Sequence, residues 1–348
     1  MGNLNRFHEF ALVNRLTKAL ERNPRQLNRT HQSDAEIVRL PDGTLLAATV
    51  DGLHEEYNLG LLRDPFVLGW CAVSQSLSDL AAVAATPLGV LLAVNFPRGS
   101  EESWQEAFFS GVNAVLRDHG TFCLGSDTNF SPEPGFTCTA LGIIDLPAPL
   151  QRTGARPGDS LYITGFLGTG NLLGIASEVD KVLWAKLEKE YRPRARLRES
   201  RALAPYVSCA IDTSDALLQG LAIISDLNDV GMVFEHRPEL YSPPLVQMVE
   251  KIRFPLWLVN VFGMGEYELV LGVPAQKEEE FLARAGFEKI PVMRIGQVVR
   301  EPGIILNIDG KSFQLDVPYL LNLFGTCSDI KTYLKALATY DAKLRGTA

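Results

Sequence analysis

Aspartates recur along this chain in small or apolar surroundings. One of them, Asp79, lies in the alanine-rich stretch QSLSDLAAVAATP, residues 75 to 87. The others lie in HQSDAEIV, AATVDGL, LGSDTNF and AIDTSDALL, and they are Asp34, Asp51, Asp127, Asp212 and Asp215. Magnesium takes oxygen ligands and is usually shared between a few carboxylates and the phosphates of a substrate. Six such aspartates in a cysteine-poor chain therefore predict a magnesium site for nucleotide phosphate chemistry.

Each aspartate taken alone also has an ordinary structural explanation, as a helix cap or a turn former. For Asp79 we expect a position at the mouth of a small-residue helix whose first turn Ser78 caps. Other chemistry has less support. The glycine loop GFLGTGN, residues 165 to 171, lacks the Gly-Lys-Ser/Thr ending of a Walker loop, and the five histidines show no metal-ligand spacing.

Composition places the chain among globular proteins. Its 348 residues, 46% hydrophobic and 21% charged, are enough for two domains with separate cores. A net charge of -8 without a dominant basic patch argues against a nucleic-acid partner, and the basic stretch RPRARLRESR, residues 192 to 201, is interpreted as a solvated loop. The five scattered cysteines suit reduced thiols, and neither a signal-peptide pattern nor a membrane-length apolar run is visible. We therefore expect a cytoplasmic protein without a membrane partner.

The periodicity predicts an α+β protein. We expect helices over residues 7–20, 102–120, 168–178, 217–231 and 328–345, and strands over residues 35–40, 44–50, 89–97, 121–128, 137–145 and 207–211. Asp51 then lies at a strand end, and residues 52–64 are too irregular for regular structure. Proline and glycine in PAPLQRTGARPGD predict a domain boundary, which gives an N-terminal domain over 1–147, a second domain over 148–325 and a helical tail over 326–348.

The order of these motifs resembles the thiamine-monophosphate kinase branch of the aminoimidazole-ribotide synthetase-like superfamily. The resemblance runs from about Phe10 to about Val298 and includes SLSDLAAVAATP, LGSDT, RTGARPGDSLYITGFLG, IDTSDALL and GMGEYELVLGVP. It implies the two-domain, PurM-like α+β fold, in which N-terminal strands of two copies pair into a shared barrel and the C-terminal domain is α/β. It also implies a homodimer that uses ATP and Mg²⁺ on a small-molecule acceptor.

The resemblance further implies roles for individual residues, with no covalent catalytic group. The implied metal ligands are Asp34, Thr49, Asp51, Asp79, Asp127, Asp212 and Asp215, of which Asp127 and Asp215 act on the reaction through the metal. The nucleotide phosphates are implied to contact Gly125, Ser126, Arg152 and Ser214. The acceptor is implied to contact Asn58 and Glu268, with the 52–64 loop closing over it.

The chain departs from the family pattern at five positions: Ser33, Asn58, Ser126, Ala216 and Glu266 stand where the family has aspartate, histidine, glycine, glycine and aspartate. The implied metal ligands therefore match the family pattern better than the implied acceptor contacts do. Glu268 is expected to face a cationic ring, or else to belong to a strand with Tyr267 inside and Glu268 outside. The function expected is in-line phosphoryl transfer to thiamine phosphate. The alternatives are a superfamily synthetase acting on another metabolite, and a non-catalytic nucleotide-binding protein.

Overall fold

Two β-sheets with helices packed against them make up the computed structural model, which describes residues 4–346. The first three residues of the predicted N-terminal domain and the last two of the predicted tail lie outside the described residues. The first sheet has the strand order β1-β2-β5-β3-β4. Its strands are β1 Glu36–Arg39, β2 Leu45–Leu53, β3 Thr86–Pro97, β4 Cys123–Ser131 and β5 Gly135–Ile144.

Within residues 4–346, helices pack on one face of the first sheet and bury it. The helices that precede β4 in the chain are α1 His8–Thr17, α2 Glu55–Asn58, α3 Pro65–Ala82 and α4 Glu102–Asp118. Strand β3 continues through α4 into β4, which pairs with β3 in parallel, while the other pairs are antiparallel. Residues along β5 alternate between buried and half-buried, as expected for a sheet with one face against a core. The opposite face exposes Val50 and Leu91.

The second sheet is mixed and has the order β12-β11-β8-β10-β6-β9-β7. Its strands are β6 Ser160–Thr164, β7 Cys209–Asp212, β8 Gly231–Glu235, β9 Leu269–Val273, β10 Val292–Val299, β11 Gly303–Ile308 and β12 Lys311–Gln314. Among the described strands of this second sheet, only β8 and β11 pair in parallel. Strands β6, β7 and β9 are buried along their whole length, so both faces of this part of the sheet are covered.

The helices of the second half are α5 Thr169–Val179, α6 Lys181–Glu190, α7 Leu197–Leu203, α8 Leu217–Asn228, α9 Pro243–Lys251, α10 Glu278–Glu288, α11 Val317–Asn322 and α12 Ile330–Leu344. The N-terminal segment crosses to this half, because Leu4, Phe7 and Phe10 belong to its hydrophobic core. Two-domain α+β architecture is thus confirmed, with an N-terminal segment that packs on the second domain.

Helix α3 is the central helix of the first domain and corrects the sequence-based prediction. It begins at Pro65, where the Asp64 side chain accepts hydrogen bonds from the backbone N–H groups of Phe66 and Val67. Ser78 therefore does not cap a first turn, and Asp79 lies in the last turn. The prediction failed because this helix is apolar around most of its circumference and shows little amphipathic periodicity.

Close helix packing holds α3 in place. A Cβ atom on Gly69 would lie 2.0 Å from the carbonyl oxygen of Phe108 on α4, and one on Gly111 would lie 2.0 Å from that of Phe66. The two helices approach at a separation that only glycine permits. The first half of α3 is consequently fixed against α4.

Two segments predicted to be irregular contain regular structure. In residues 52–64, β2 continues to Leu53 and α2 follows. In the basic stretch, residues 192–201, α7 begins at Leu197, and the guanidinium of Arg192 lies 4.5 Å from the ring centre of Phe66. Arginine stems pack on apolar surfaces, so a basic composition alone did not identify a solvated loop.

Candidate functional site

A cavity of about 730 Å³ opens between the two sheets. The first domain contributes residues around Asp34, the segment 48–51 of β2 and the end of α3. The second domain contributes the end of β7 and the start of α8, and Arg152 comes from the segment between the domains. Strand ends and helix ends therefore supply most of its polar side chains, as in many ligand sites.

Three of the predicted aspartates converge in this cavity. Asp34, Asp79 and Asp212 each offer a carboxylate oxygen within 4.8 Å of the others. The side chain of Asp34 is 1% exposed and Asp212 is 5% exposed. Clustered, buried carboxylates repel one another and lose hydration, so the charged arrangement needs a cation.

Asp79 illustrates this electrostatic cost. Burial, followed by repulsion from Asp51, Asp212 and Asp34, holds its pKa well above the usual range. Its place in the last turn of α3 puts the carboxylate near the negative end of the helix dipole, which disfavours a further negative charge. A hydrogen bond from the Thr49 hydroxyl partly offsets these effects. A cation bound beside Asp79 would offset all three effects: burial, repulsion by the other carboxylates and the helix dipole.

Asp212 ends β7 and faces the same point from the second domain. Burial, and then repulsion by Asp34, raises the pKa of Asp212 to about 7. The Ser214 hydroxyl donates to its Oδ1 at 2.9 Å, while its Oδ2 has no hydrogen-bond partner in the described part of the chain.

Asp34 forms an ion pair with Arg152. Arg152 Nη2 donates to Asp34 Oδ1 at 2.8 Å, and Arg152 Nη1 donates to the carbonyl oxygen of His31 at 3.3 Å. Asp34 Oδ2 has no partner within residues 4–346. Among the described residues lining the cavity, Arg152 is the only arginine or lysine. One guanidinium does not neutralise the surrounding carboxylates.

Asp51 and Asp215 border the cluster. The Ser76 hydroxyl donates to Asp51 Oδ2 at 3.0 Å, and burial raises the pKa of Asp51. Asp215 is exposed, and Gln219 Nε2 donates to its Oδ2 at 2.8 Å. Both aspartates line the cavity, as do Thr49 and Ser214. Both domains therefore contribute predicted polar residues to the same cavity.

The segment Gly125, Ser126 and Asp127 is not brought to this cavity within one chain. It lies on β4, the edge strand, which is separated from β2 by β5 and β3. Three strand spacings of about 4.8 Å place it about 14 Å from β2. Asp127 is exposed, and its Oδ2 accepts a hydrogen bond from Asn129 at 3.2 Å.

The two predicted acceptor residues are also elsewhere. Asn58 is exposed at the end of α2 and does not line the cavity. Glu268 is 4% exposed, pairs with Arg196 through both carboxylate oxygens and accepts a hydrogen bond from Thr164 at 2.6 Å. The alternative that Glu268 points outward from a strand is wrong, because Tyr267 has a φ of +56° and β9 begins only at Leu269.

Sequence reasoning missed three polar residues that organise the site. Ser76 and Gln219 hold aspartates, and both lie on helices at spacings that give no chemical signal. Glu266 accepts hydrogen bonds from the backbone N–H groups of Thr169, Gly170 and Asn171 at the start of α5, and burial raises its pKa to about 7. This role depends on the tertiary contact between the GMGEYEL segment and α5, which spacing in the sequence does not indicate.

Comparison with known families agrees with this architecture. The model of the N-terminal domain of AIR synthase related proteins matches residues 32–144, and that of their C-terminal domain matches residues 156–309. The chain belongs to the AIR synthase related protein family. Family membership, the two-domain fold and the resemblance drawn from the sequence motifs are thus confirmed.

Curated relatives cover most of the chain. The thiamine-monophosphate kinase of Escherichia coli (strain K12) is 28% identical over 317 residues, which are 88% of this chain and 96% of the relative. The thiamine-monophosphate kinase of Methanospirillum hungatei JF-1 is 30% identical over 282 residues, with coverages of 81% and 90%.

Solved structures share the fold. The protein tt0281 from Thermus thermophilus has a TM-score of 0.73 and 29% identity, covering 86% of this chain and 96% of that one. AaThiL, solved in complex with AMPPCP and TMP, has a TM-score of 0.72 and 24% identity, with coverages of 88% and 96%. Within residues 4–346, no helix combines the length and the apolar character needed to span a membrane.

Proposed function

We propose that this protein is a magnesium-dependent kinase that transfers the terminal phosphoryl group of ATP to thiamine monophosphate, giving thiamine diphosphate and ADP. The observation that carries the proposal is the convergence of Asp34, Asp79 and Asp212, two of which have buried oxygens without a hydrogen-bond partner among the described residues. Relatives of this length and similarity named as thiamine-monophosphate kinases support the choice of acceptor.

The donor set fits magnesium. All its groups are hard oxygen donors, and the described cavity lining contains no cysteine. The ligands would be Asp34, Asp79 and Asp212, with Thr49, Asp51 and Asp215 completing the set. When bound, magnesium would neutralise phosphate charge during transfer.

The protein's own residues position the substrates. Arg152 is held by Asp34 and by the carbonyl oxygen of His31, so its planar guanidinium presents a fixed donor group toward phosphate oxygens. Ser214 sits beside Asp212, where its hydroxyl can contact a nucleotide phosphate. No covalent intermediate is required, because phosphoryl transfer depends mainly on alignment and charge stabilisation.

A second copy of the chain would supply Gly125, Ser126 and Asp127. Strand β4 is an exposed edge, and the uncovered face of its sheet carries Val50 and Leu91. Edge strands and exposed apolar faces favour association. We propose a homodimer in which these faces meet, with β4 of each copy approaching the other copy's cavity.

One assay tests the reaction. Purified protein is supplied with ATP and thiamine monophosphate, with and without Mg²⁺, and the products are identified by mass. We expect thiamine diphosphate and ADP in equal amounts, only with Mg²⁺. Asp79→Asn should lower the rate by about 100-fold or more, as expected when a group that supports charge in the transition state is removed. Asp229→Asn, an exposed change after α8, is the matched control.

The remaining outcomes separate the alternatives. Release of inorganic phosphate with a different acceptor would indicate a superfamily synthetase. Binding of Mg–ATP without turnover over a panel of metabolites would indicate a non-catalytic binding protein. Absence of thiamine diphosphate from a folded sample that binds ATP would remove the kinase assignment.

A further inference from the structure

A second cavity of about 270 Å³ adjoins the first, and the two share Asp215, Ala216 and Gln219. Its walls are largely apolar and include Phe262 and Met264. A ligand that spans both cavities would have one end beside the aspartate cluster and the other in this second cavity.

The C-terminal helix α12 forms one wall of the second cavity. Ile330 and Tyr333 line it, although α12 lies beyond residue 309, where the matched C-terminal domain ends. The Tyr333 ring packs edge-on against Phe262 and Phe324 with centroids 5.4 and 5.3 Å apart. Its hydroxyl donates to the carbonyl oxygen of Val261 at 3.4 Å.

The far end of α12 is anchored as firmly. Trp257 Nε1 donates to Asp341 Oδ1 at 2.6 Å, and both residues are buried. Leu337 is fully buried in the second core. The wall is therefore built into the domain and is not a loose tail.

A buried polar group in the second cavity favours one kind of ligand. Asn171 lines it and is 5% exposed, and its Nδ2 donates to the carbonyl oxygen of Val259 at 3.0 Å. This bond fixes the amide orientation and leaves Oδ1 as an acceptor with no partner in the described chain. A buried acceptor of this kind favours a ligand that donates a hydrogen bond.

The charged residues of the second cavity also favour a particular kind of ligand. Glu55 and Glu56 line the second cavity, and the described residues that line it include no lysine, arginine or histidine. A phosphate is disfavoured there, whereas a flat, apolar and positively charged group is favoured. Thiamine monophosphate has this polarity, because its phosphate lies at one end and its cationic thiazolium and aminopyrimidine donor together form the aromatic end.

We propose that α12 and Asn171 form the pocket for the aromatic, cationic half of the acceptor, so that this helix determines acceptor specificity. The inference rests on the proposed function for the identity of the acceptor. In this arrangement Asn171 Oδ1 accepts a hydrogen bond from the ring amine, Tyr333 and Ile330 bound the ring, and the acceptor phosphate lies toward Asp215 and the first cavity.

Gly174 offers a way to fill the pocket without disturbing the fold. It lies in α5 and lines the second cavity, and a Cβ atom there would meet only the Cβ of Met264, at 3.7 Å. Gly174→Leu therefore places a side chain in the cavity while favouring the helix. Gly286→Leu, at an open position in α10, is the matched control.

Binding is measured calorimetrically for thiamine and thiamine monophosphate, with Mg²⁺ and a non-hydrolysable ATP analogue present. We expect Gly174→Leu to raise both dissociation constants at least tenfold, to raise KM for thiamine monophosphate similarly, and to leave affinity for the analogue within twofold. Ile330→Trp should act in the same way from the α12 side, with exposed Lys331→Trp as its control.

The outcomes separate this inference from the proposed function. If the wild-type protein binds thiamine and loses it in Gly174→Leu but makes no thiamine diphosphate, the pocket stands and the kinase assignment falls. If thiamine diphosphate forms and both filled variants behave as wild type, the pocket inference falls alone. A wild-type protein that binds neither thiamine nor its phosphate overturns the inference.

Discussion

Replacing Asp212 by asparagine should stabilise the metal-free protein at alkaline pH. The folded pKa of Asp212 is raised to about 7 from 3.8, so the folded state binds this proton more tightly than the unfolded state does. The free energy of unfolding of the wild-type protein therefore falls as the pH rises from about 4 to about 7. The whole pKa shift corresponds to a loss of about 4 kcal/mol of folding stability at pH 8. Asp34 shares the repulsion, and asparagine keeps part of the cost of polar burial, so we expect a gain of about 2 kcal/mol.

Urea denaturation with a chelator present measures this difference. The free energy of unfolding of Asp212→Asn should match wild type at pH 4 and exceed it by about 2 kcal/mol at pH 8. Added Mg²⁺ should stabilise wild type and leave Asp212→Asn nearly unchanged, since binding to the folded state alone raises stability. Asp229→Asn, exposed after α8, should behave as wild type. A variant less stable than wild type at pH 8 without metal would refute the repulsion argument.

Two further predictions concern the dimer and the buried ion pair. Light scattering of the wild-type protein at micromolar concentration should return about twice the sequence mass. Leu91→Glu should return a monomer, because it places a charge on the open sheet face. A monomeric wild type would contradict the proposed dimer. In urea denaturation, Glu268→Gln should cost about 3 kcal/mol, because Arg196 loses its buried carboxylate partner. Glu199→Gln should cost under about 1 kcal/mol, because its carboxylate is 3.9 Å from Arg196 and more exposed. Unchanged stability of Glu268→Gln with weaker acceptor binding would instead favour the acceptor role for Glu268.

The sequence predicted the sheet-and-helix order well because strand alternation and turn residues are local signals. Residues 137–145 correspond to β5, and the predicted final helix corresponds to α12. Motif order predicted that six aspartates share one site. Asp34, Asp79 and Asp212 converge although they are far apart in sequence, whereas Asp127 does not line the cavity of the same chain. Their distances could not be predicted, because they depend on packing between two sheets.

The errors have physical causes as well. The position of Asp79 was wrong because α3 is buried along most of its length, and a helix that is apolar all round gives no periodic signal for its start. The environment of Glu268 was not predictable because its partner, Arg196, lies in a stretch whose composition indicated solvent. The positive φ of Tyr267 also removes the alternation on which a strand assignment depended.

The cluster has consequences for how the two domains are held together. Asp79 is fixed by α3 of the first domain, whereas Asp212 is fixed by β7 of the second, so their repulsion acts across the domain boundary. Arg152, in the segment between the domains, offsets only part of it through Asp34. A cation bound by both domains would turn this repulsion into attraction. Metal binding, nucleotide binding and closure of the cavity are therefore expected to be coupled, because each lowers the same electrostatic cost.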